Sequence, residues 1–232
     1  MTFEVTVERL DEAVVAEKYG ARRVEVCTAL DLGGLTPSMG LVKSCLENLE
    51  ETEVHVLIRP RPGGFVYTKE ETMIMLSDIQ TFSEMGVSGV VFGFLKKDNS
   101  LDVELTAALC RYAKKVGLEV TFHRAIDYCT NLKTAIEQLI DMGVDRVLTS
   151  GQSPTARQGL SMIVKIHAMS KGKMEVMAGS GVNVKNAKEI YASGIDALHF
   201  SIRNTAKFEP GMGDNSTIDE EKIQEISKII DS

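Results

Sequence analysis

The sequence predicts one (β/α)8 barrel, the TIM-barrel fold, as a single domain over residues 1–232. Short apolar runs rich in Val, Ile and Phe alternate with amphipathic segments of helical period, and there are eight of each. Alternation of such elements, with near-continuous apolar strands, is typical of a parallel sheet covered by helices. Eight such units in 232 residues fit a closed barrel better than a doubly wound open sheet, which is the alternative.

The elements follow one another without a Pro-rich or Ser-rich linker. The predicted strands are Phe3–Val7, Arg23–Cys27, Val54–Arg59, Gly89–Phe94, Glu119–Arg124, Arg146–Ser150, Glu175–Ala178 and Ala197–Ser201. The predicted helices are Leu10–Tyr19, Met39–Leu49, Lys69–Met85, Val103–Val116, Leu132–Met142, Ala156–Met169, Lys185–Ala192 and Glu220–Ile230. Glycines that close the last helical turn in the left-handed conformation are predicted at Gly20, Gly86, Gly117, Gly143 and Gly194. We expect Arg203–Thr217 to form a long loop that covers the site.

Composition excludes several classes of function. The chain has 26 Lys and Arg against 33 Asp and Glu, a net charge of -7, so it offers no basic surface for nucleic acid. Its 4 cysteines form no C-x-x-C pair, and no apolar run approaches the length of a membrane helix. We therefore predict a cytoplasmic protein with free thiols and no nucleic-acid or membrane partner.

Charged residues stand near the ends of the second and third strands. In a barrel of this kind, function lies at the C-terminal ends of the strands, and Glu25 near such an end is expected to point into the mouth. Arg59 and Arg61, separated by one Pro, have side chains on similar sides of an extended backbone. This geometry suits a carboxylate or phosphate. The alternative is that Arg59 only neutralises Glu25 across the top of the barrel.

The end of the fifth strand carries the densest group of ionisable residues, in VTFHRAIDYC. His123 near the carboxylate of Asp127 is a candidate general base, and Arg124 is a candidate anion ligand. The alternative for His123 is a core histidine whose hydrogen bonds are satisfied within the protein.

The later strands end in small residues. Ser150 and Gly151 follow the sixth strand, and Gly179, Ser180 and Gly181 follow the seventh. Glycines beside a helix N-terminus let backbone N–H groups face an anion, although a simple tight turn is the alternative. His199 ends the eighth strand and is expected to face the same mouth.

Metal binding has weaker support in the residues. Cys27 ends the second strand and Cys129 follows the fifth, so both are candidate ligands for copper on the functional face. Their strands are not neighbours, so the spacing predicts no closed site. His55 begins a strand on the opposite face and His167 ends a helix, and neither is a good metal ligand by position.

The motifs GARRVEVC, GGLTPS, VLIRPRPGGFVYT, VTFHRAID, RVLTSGQ and MAGSGV, in this order, resemble the family of the copper homeostasis protein CutC. The resemblance runs from about Phe3 to His199. It implies a (β/α)8 barrel, a cytoplasmic location, oligomers in some members, and copper binding or tolerance. One departure concerns the family's L-E-x-C in the first strand, because Thr6 stands at the position of the cysteine.

Two hypotheses follow. The first is a copper homeostasis protein with copper as its ligand, bound at the barrel mouth, and with no organic cofactor. The second is an enzyme acting on a small anionic metabolite, with Glu25, His123 and Asp127 as acid or base groups. In that case Arg59, Arg61 and Arg124 bind the anion. A homo-oligomer is expected in either case.

Overall fold

The computed structural model describes residues 2–205 and 216–230. Eight parallel strands form a closed barrel in chain order, and the first strand pairs with both the second and the eighth. The predicted closed barrel is therefore confirmed and the open sheet is excluded. The strands are β1 (Thr2–Val7), β2 (Arg23–Val26), β3 (Glu53–Leu57), β4 (Gly89–Phe92), β5 (Glu119–Phe122), β6 (Arg146–Thr149), β7 (Glu175–Ala178) and β8 (Ala197–Ser201).

Amphipathic helices surround the barrel and bury one face each against the outside of the strands. They are α1 (Leu10–Lys18), α2 (Met39–Asn48), α3 (Lys69–Met85), α4 (Val103–Lys115), α5 (Leu132–Asp141), α6 (Leu160–Ser170), α7 (Val184–Ala192) and α8 (Glu220–Ile230). In α5, for example, Ala135, Ile136 and Leu139 are buried at helical spacing. The five glycines predicted to end helices all have a positive φ, between 75° and 89°.

Several element ends differ from the sequence prediction: β3 ends at Leu57 instead of Arg59, β4 ends at Phe92 instead of Phe94, and α6 begins at Leu160 instead of Ala156. Two connections also contain secondary structure that was not predicted. β5 ends at Phe122 instead of Arg124, and residues Arg124–Tyr128 form a short 3-10 helix. The reason is local: the ring of His123 accepts a hydrogen bond from the backbone N–H of Ala125 through Nδ1, at 3.2 Å, and this turns the chain out of the strand.

The second difference concerns the segment before the last helix. Arg203–Thr205 and Ser216–Ile218 form an antiparallel pair of short strands, β9 and β10, so a loop over the whole of Arg203–Thr217 was wrong at its two ends. The rest of that expected loop, residues 206–215, lies outside the described residues. A single domain over residues 1–232 stays a prediction.

The interior of the barrel is unusually polar. We call the N-terminal ends of the strands the floor and the C-terminal ends the mouth. At the floor, Glu175 forms ion pairs with Arg146 at 3.0 Å and with Arg23 at 2.5 Å. Arg23 in turn reaches Glu4 at 3.1 Å. Because charges are costly in a dry interior unless they are paired, this network is what allows the barrel axis to carry them.

Candidate functional site

A cavity of about 730 Å³ opens at the mouth of the barrel. Several residues predicted for the site line it: Glu25, Cys27, Arg59, His123, Arg124, Ser180, Gly181 and His199. Other predicted residues are not part of its lining: Arg61, Asp127, Cys129, Ser150, Gly151 and Gly179. The cavity therefore brings together most of the predicted acid, base and cationic groups at one end of the barrel.

One histidine and one glutamate on the cavity wall form a group with a second glutamate behind them. The strand register places Glu4 beside His199 and Glu25 beside Thr6. His199 Nδ1 lies 2.8 Å from Glu4 Oε1, and His199 Nε2 lies 3.6 Å from Glu25 Oε2. Of these three side chains, Glu25 and His199 line the cavity, and Glu4 is fully buried behind them.

The three groups change one another's pKa values. Burial raises the pKa of Glu25 to about 7; the charge of His199 opposes this rise, and the charge of Glu4 adds to it. Burial would lower the pKa of His199, but its hydrogen bond to Glu4 and the charge of Glu25 raise it above the usual value. Burial would raise the pKa of Glu4, but the hydrogen bond and charge of His199, together with Arg23, hold it below its usual range. Glu25 is therefore the carboxyl group that changes charge near neutral pH.

Arg59 is buried at the mouth, but it is not paired with Glu25. Its guanidinium donates to the backbone carbonyls of Gly34 at 2.7 Å, Leu32 at 3.2 Å and Gly63 at 2.8 Å. The alternative in which Arg59 neutralises Glu25 is therefore wrong. Arg59 ties together the loops after β2 and β3, and its Nε atom has no hydrogen-bond partner among the described residues.

His123 lies on the same wall as a neutral ring. Burial, followed by the charges of Arg59 and Arg124, lowers its pKa to about 3. The ring packs 5.0 Å from the ring of Phe65. No described residue accepts or donates a hydrogen bond at Nε2, so the alternative of a core histidine satisfied within the protein is wrong.

Asp127 faces the loop after β6 and not His123. Its carboxylate accepts hydrogen bonds from Thr149 Oγ1 at 2.5 Å and from the backbone N–H groups of Ser150 and Gln152 at 3.0 and 3.1 Å. It also accepts a hydrogen bond from Arg124 Nε at 3.0 Å. The predicted contact between Asp127 and His123 is absent from the hydrogen bonds of the described residues. Asp127 instead fixes Arg124 at the rim of the cavity.

The turn after β7 provides free backbone donors. Ser180 and Gly181 both have positive φ angles, 79° and 70°, and they line the cavity with Val182. No described residue accepts a hydrogen bond from the backbone N–H groups of Ser180, Gly181 and Val182. Helix α7 begins directly afterwards with a capping box at Asn183. Free N–H groups beside a helix N-terminus favour an anion.

Arg61 and Cys129 are two of the predicted residues that lie outside the cavity lining. Arg61 pairs with Glu71 at 2.5 Å and donates to the backbone carbonyls of Pro62, Gly64 and Val66, so it organises its own loop. Cys129 packs in the core between barrel and helices, whereas Cys27 lies inside the barrel, with its Sγ 3.4 Å from Thr6 Oγ1.

Sequence reasoning missed two charged groups of the mouth. Glu4 is the one ionisable residue of β1, and a carboxylate within a barrel strand is the same signal that pointed to Glu25. Lys222, in the first turn of α8, lines the cavity and donates to the carbonyl of Ser201 at 2.6 Å. Burial lowers the pKa of Lys222. The sequence candidates were chosen at the C-terminal ends of strands. Lys222 lies at the start of a helix, so that criterion could not select it.

Comparison with known proteins agrees with the motifs. The profile described as the CutC family matches residues 1–204. The chain belongs to the CutC family. A family protein CutC from Bacteroides fragilis is 42% identical over 209 residues, covering 88% of this chain and 81% of the relative. One from Aliivibrio fischeri is 41% identical over 203 residues, covering 87% and 82%.

Solved structures show the same fold. The CutC protein from Streptococcus agalactiae, whose description gives copper homeostasis as a provisional role, matches with a TM-score of 0.81 and 31% identity. The match covers 86% of this chain and 98% of that protein. 3-hexulose-6-phosphate synthase from Salmonella typhimurium matches with a TM-score of 0.66 at 17% identity, over 99% and 98% of the two chains, and shows the fold alone. In the described part of the chain, no helix has the length and apolar character needed to span a membrane.

Proposed function

We propose that the mouth of the barrel is the active site of an enzyme that moves protons on a small anionic metabolite. The observation that carries the proposal is the pair of Glu25 and His199 on the cavity wall, with Glu4 bonded to His199 behind them. A carboxyl group whose pKa is raised to about 7 is present in both charge states at neutral pH, as an acid–base catalyst requires. Glu25 accepts or donates the proton, and His199, held by Glu4, is its positioning residue.

The same cavity supports binding of an anion. Arg124 and Lys222 line it, and the turn Ser180–Val182 offers N–H groups without an acceptor. A phosphate or carboxylate held between this turn and the two cations would satisfy these donors. A cavity of about 730 Å³ is within the range for small-molecule sites, so a sugar-sized phosphorylated or carboxylated compound fits.

Two buried polar atoms on cavity-lining residues further support a polar ligand. His123 Nε2 and Arg59 Nε have no partner among the described residues. A buried polar group without a hydrogen bond costs roughly 1–3 kcal/mol, and a ligand that bonds to it recovers part of this cost. We therefore expect the substrate to carry hydroxyl or carbonyl oxygens in addition to its anionic group.

Ligand binding is tested first, by thermal shift with inorganic phosphate, a panel of sugar phosphates and short carboxylates. A ligand at 100 times its Kd stabilises the fold by about 2.7 kcal/mol. We expect Arg124→Gln to weaken binding about tenfold or more, because it removes a charge-assisted hydrogen bond. Arg61→Gln is the matched control, since Arg61 is outside the cavity lining. The proposal fails if no probe raises Tm, or if both variants lose binding equally.

Proton transfer is tested next with whichever probe binds. Exchange of its carbon-bound hydrogen with deuterated solvent, followed by NMR, reports abstraction directly. Glu25→Gln keeps the shape of the side chain but cannot accept the proton, so we expect exchange to slow by at least about 100-fold while binding is retained. Exchange at the wild-type rate in Glu25→Gln would contradict the role of this residue.

Copper binding is a second candidate, supported by Cys27 on the cavity wall and by the provisional role given to the Streptococcus agalactiae relative. The residues fit a thiolate copper site poorly. The neighbour of Cys27 is the hydroxyl of Thr6, and neither cluster of metal-ligating groups among the described residues includes a cysteine. Burial, together with the charge of Glu25, raises the pKa of the Cys27 thiol, which opposes the thiolate that copper prefers.

An anaerobic Cu(I) titration separates the two candidates. A copper function predicts tight binding by the wild type that is lost in the Cys27→Ser/Cys129→Ser variant. Equal affinity of the two proteins would remove these thiols as ligands. The cytoplasmic location and the homo-oligomer stay predictions, and sedimentation of the purified chain tests the second.

A further inference from the structure

A second group of one histidine and two glutamates lies at the floor, at the opposite end of the barrel from the cavity. His55 on β3 is fully buried, and its Nε2 atom lies 3.6 Å from Glu119 Oε2 and 4.0 Å from Glu53 Oε2. Neither distance is a hydrogen bond. Among the described residues, no hydrogen-bond partner is found for either ring nitrogen of His55 or for Glu53 Oε2.

The ring of His55 is held in this position by its neighbouring strand. A Cβ atom at Gly89 on β4 would lie 2.4 Å from His55 Cε1, so the ring occupies the space that any other residue would fill. A buried ring with both nitrogens unbonded carries the cost of unmade hydrogen bonds, and a ligand bonded to Nε2 would reduce that cost.

The surrounding charges leave Glu53 Oε2 free, while Glu119 Oε2 is shared with an arginine. Arg22 binds the other oxygen of Glu53 at 2.7 Å, so Oε2 stays free. Arg146 donates to Glu119 Oε2 at 2.8 Å and is the main competitor for that oxygen. Glu175, paired with Arg146 at 3.0 Å, offsets part of the positive charge of this arginine.

We infer that Glu53, His55 and Glu119 bind one divalent cation of the zinc type at the floor of the barrel. Imidazole nitrogen and carboxylate oxygen are ordinary zinc ligands, with bonds of roughly 2.0–2.2 Å. The three ligand atoms lie within 4.8 Å of one another, which suits a shared ion at that range. The side chain of Glu119 is 44% exposed, so this ligand is in contact with solvent.

The expected role of the ion is structural. Strands β3 and β5 are not neighbours, because β4 lies between them. A cation held by Glu53 and His55 on β3 and by Glu119 on β5 therefore links two strands across a third. It would also satisfy two orphaned polar atoms, His55 Nε2 and Glu53 Oε2.

The test is a calorimetric titration of the full chain, freed of metal with EDTA, with zinc chloride. We expect one zinc ion per chain, and binding at least about tenfold weaker in Glu53→Gln and in Glu119→Gln. Glu25→Gln is the matched control, because it removes a carboxylate from the other histidine–glutamate cluster, at the mouth. We expect this variant to bind zinc as the wild type does.

A crystal of the wild type grown with zinc gives a second measurement that needs no variant. An anomalous difference peak between His55 and the two carboxylates supports the site. The inference is overturned if the wild type binds no zinc, or if Glu25→Gln loses zinc while the two floor variants keep it. An anomalous peak at the mouth alone would overturn it as well.

Discussion

The two ends of the barrel contain the same residue types in two different settings. At the mouth, His199 lies between Glu4 and Glu25, and at the floor, His55 lies between Glu53 and Glu119. His199 makes a hydrogen bond of 2.8 Å to Glu4, whereas His55 makes none with the described residues. Both rings are buried.

This difference shifts the pKa values of the two histidines in opposite directions. Burial alone would lower both pKa values, and for His55 it does so, with added repulsion from Arg146 and Arg23. For His199, the hydrogen bond to Glu4 and the charge of Glu25 outweigh burial and raise the pKa. Residue types therefore do not decide whether such a cluster handles protons or has a lone pair to offer. The hydrogen bond and the position of the nearest arginines decide it.

The largest expected effect comes from Glu4, which holds His199 on one side and Arg23 on the other. Glu4→Gln removes the carboxylate bonded to His199 and leaves Glu175 as the remaining counter-charge of Arg23. We expect the free energy of unfolding to fall by about 3–5 kcal/mol, measured by urea denaturation. The exposed Glu50→Gln is the control and is expected to change it by less than about 0.5 kcal/mol. A loss below about 1 kcal/mol in Glu4→Gln would mean that Glu4 does not hold the mouth together.

The next effect concerns the pH dependence of stability. The pKa of Glu25 is raised from 4.5 to about 7, so its contribution to stability is complete below pH 4.5 and is lost as the pH rises to 7. The raised pKa of His199 acts in the same direction. We expect the free energy of unfolding to fall by about 3 kcal/mol across this window because of Glu25, at roughly 1.36 kcal/mol per pKa unit. Urea denaturation at a series of pH values measures it, and the slope should flatten in Glu25→Gln. An unchanged slope in this variant would contradict the raised pKa.

Two glycines, Gly89 in β4 and Gly93 directly after it, allow the packing of a histidine ring to be compared at the floor and at the mouth. A Cβ atom at Gly89 would lie 2.4 Å from His55 Cε1, and one at Gly93 would lie 2.5 Å from His123 Nδ1. We expect Gly89→Ala and Gly93→Ala each to lower the free energy of unfolding by about 1–3 kcal/mol. Gly64→Ala is the matched control, since an added Cβ there meets nothing within 4 Å. If only Gly93→Ala lowers the free energy of unfolding, the ring of His55 can move aside for the added Cβ atom, and its fixed position at the floor is contradicted.

The fold was predictable from the sequence because each strand is a separate apolar run and each helix has its own period. The site was predictable only in part. Glu25 and Arg124 stand near strand ends, and a barrel brings strand ends together whatever the details. The pairing of Glu4 with His199 could not be found this way, because it spans 195 positions and depends on β1 closing the barrel against β8.

The direction of individual side chains was also beyond the sequence. Asp127 is four residues from His123, yet its carboxylate is drawn to the free N–H groups after β6. Arg59 satisfies loop carbonyls where a carboxylate was expected. In both cases, backbone groups left unpaired by irregular loops compete for the charged side chain, and such loops carry no periodic signal.

The smallest effect is expected at Arg61, which the sequence could not distinguish from Arg59. Its side chain is 35% exposed, and its partner Glu71 also caps α3 through Thr68. Because the capping box remains when Arg61 is removed, we expect Arg61→Ala to cost less than about 1 kcal/mol in urea denaturation. Each arginine donates to three loop carbonyls, but the guanidinium of Arg59 is buried, so Arg59→Ala leaves carbonyls unpaired in the interior and should cost more. An equal loss of the free energy of unfolding in the two variants would contradict a larger stabilising contribution from the buried arginine.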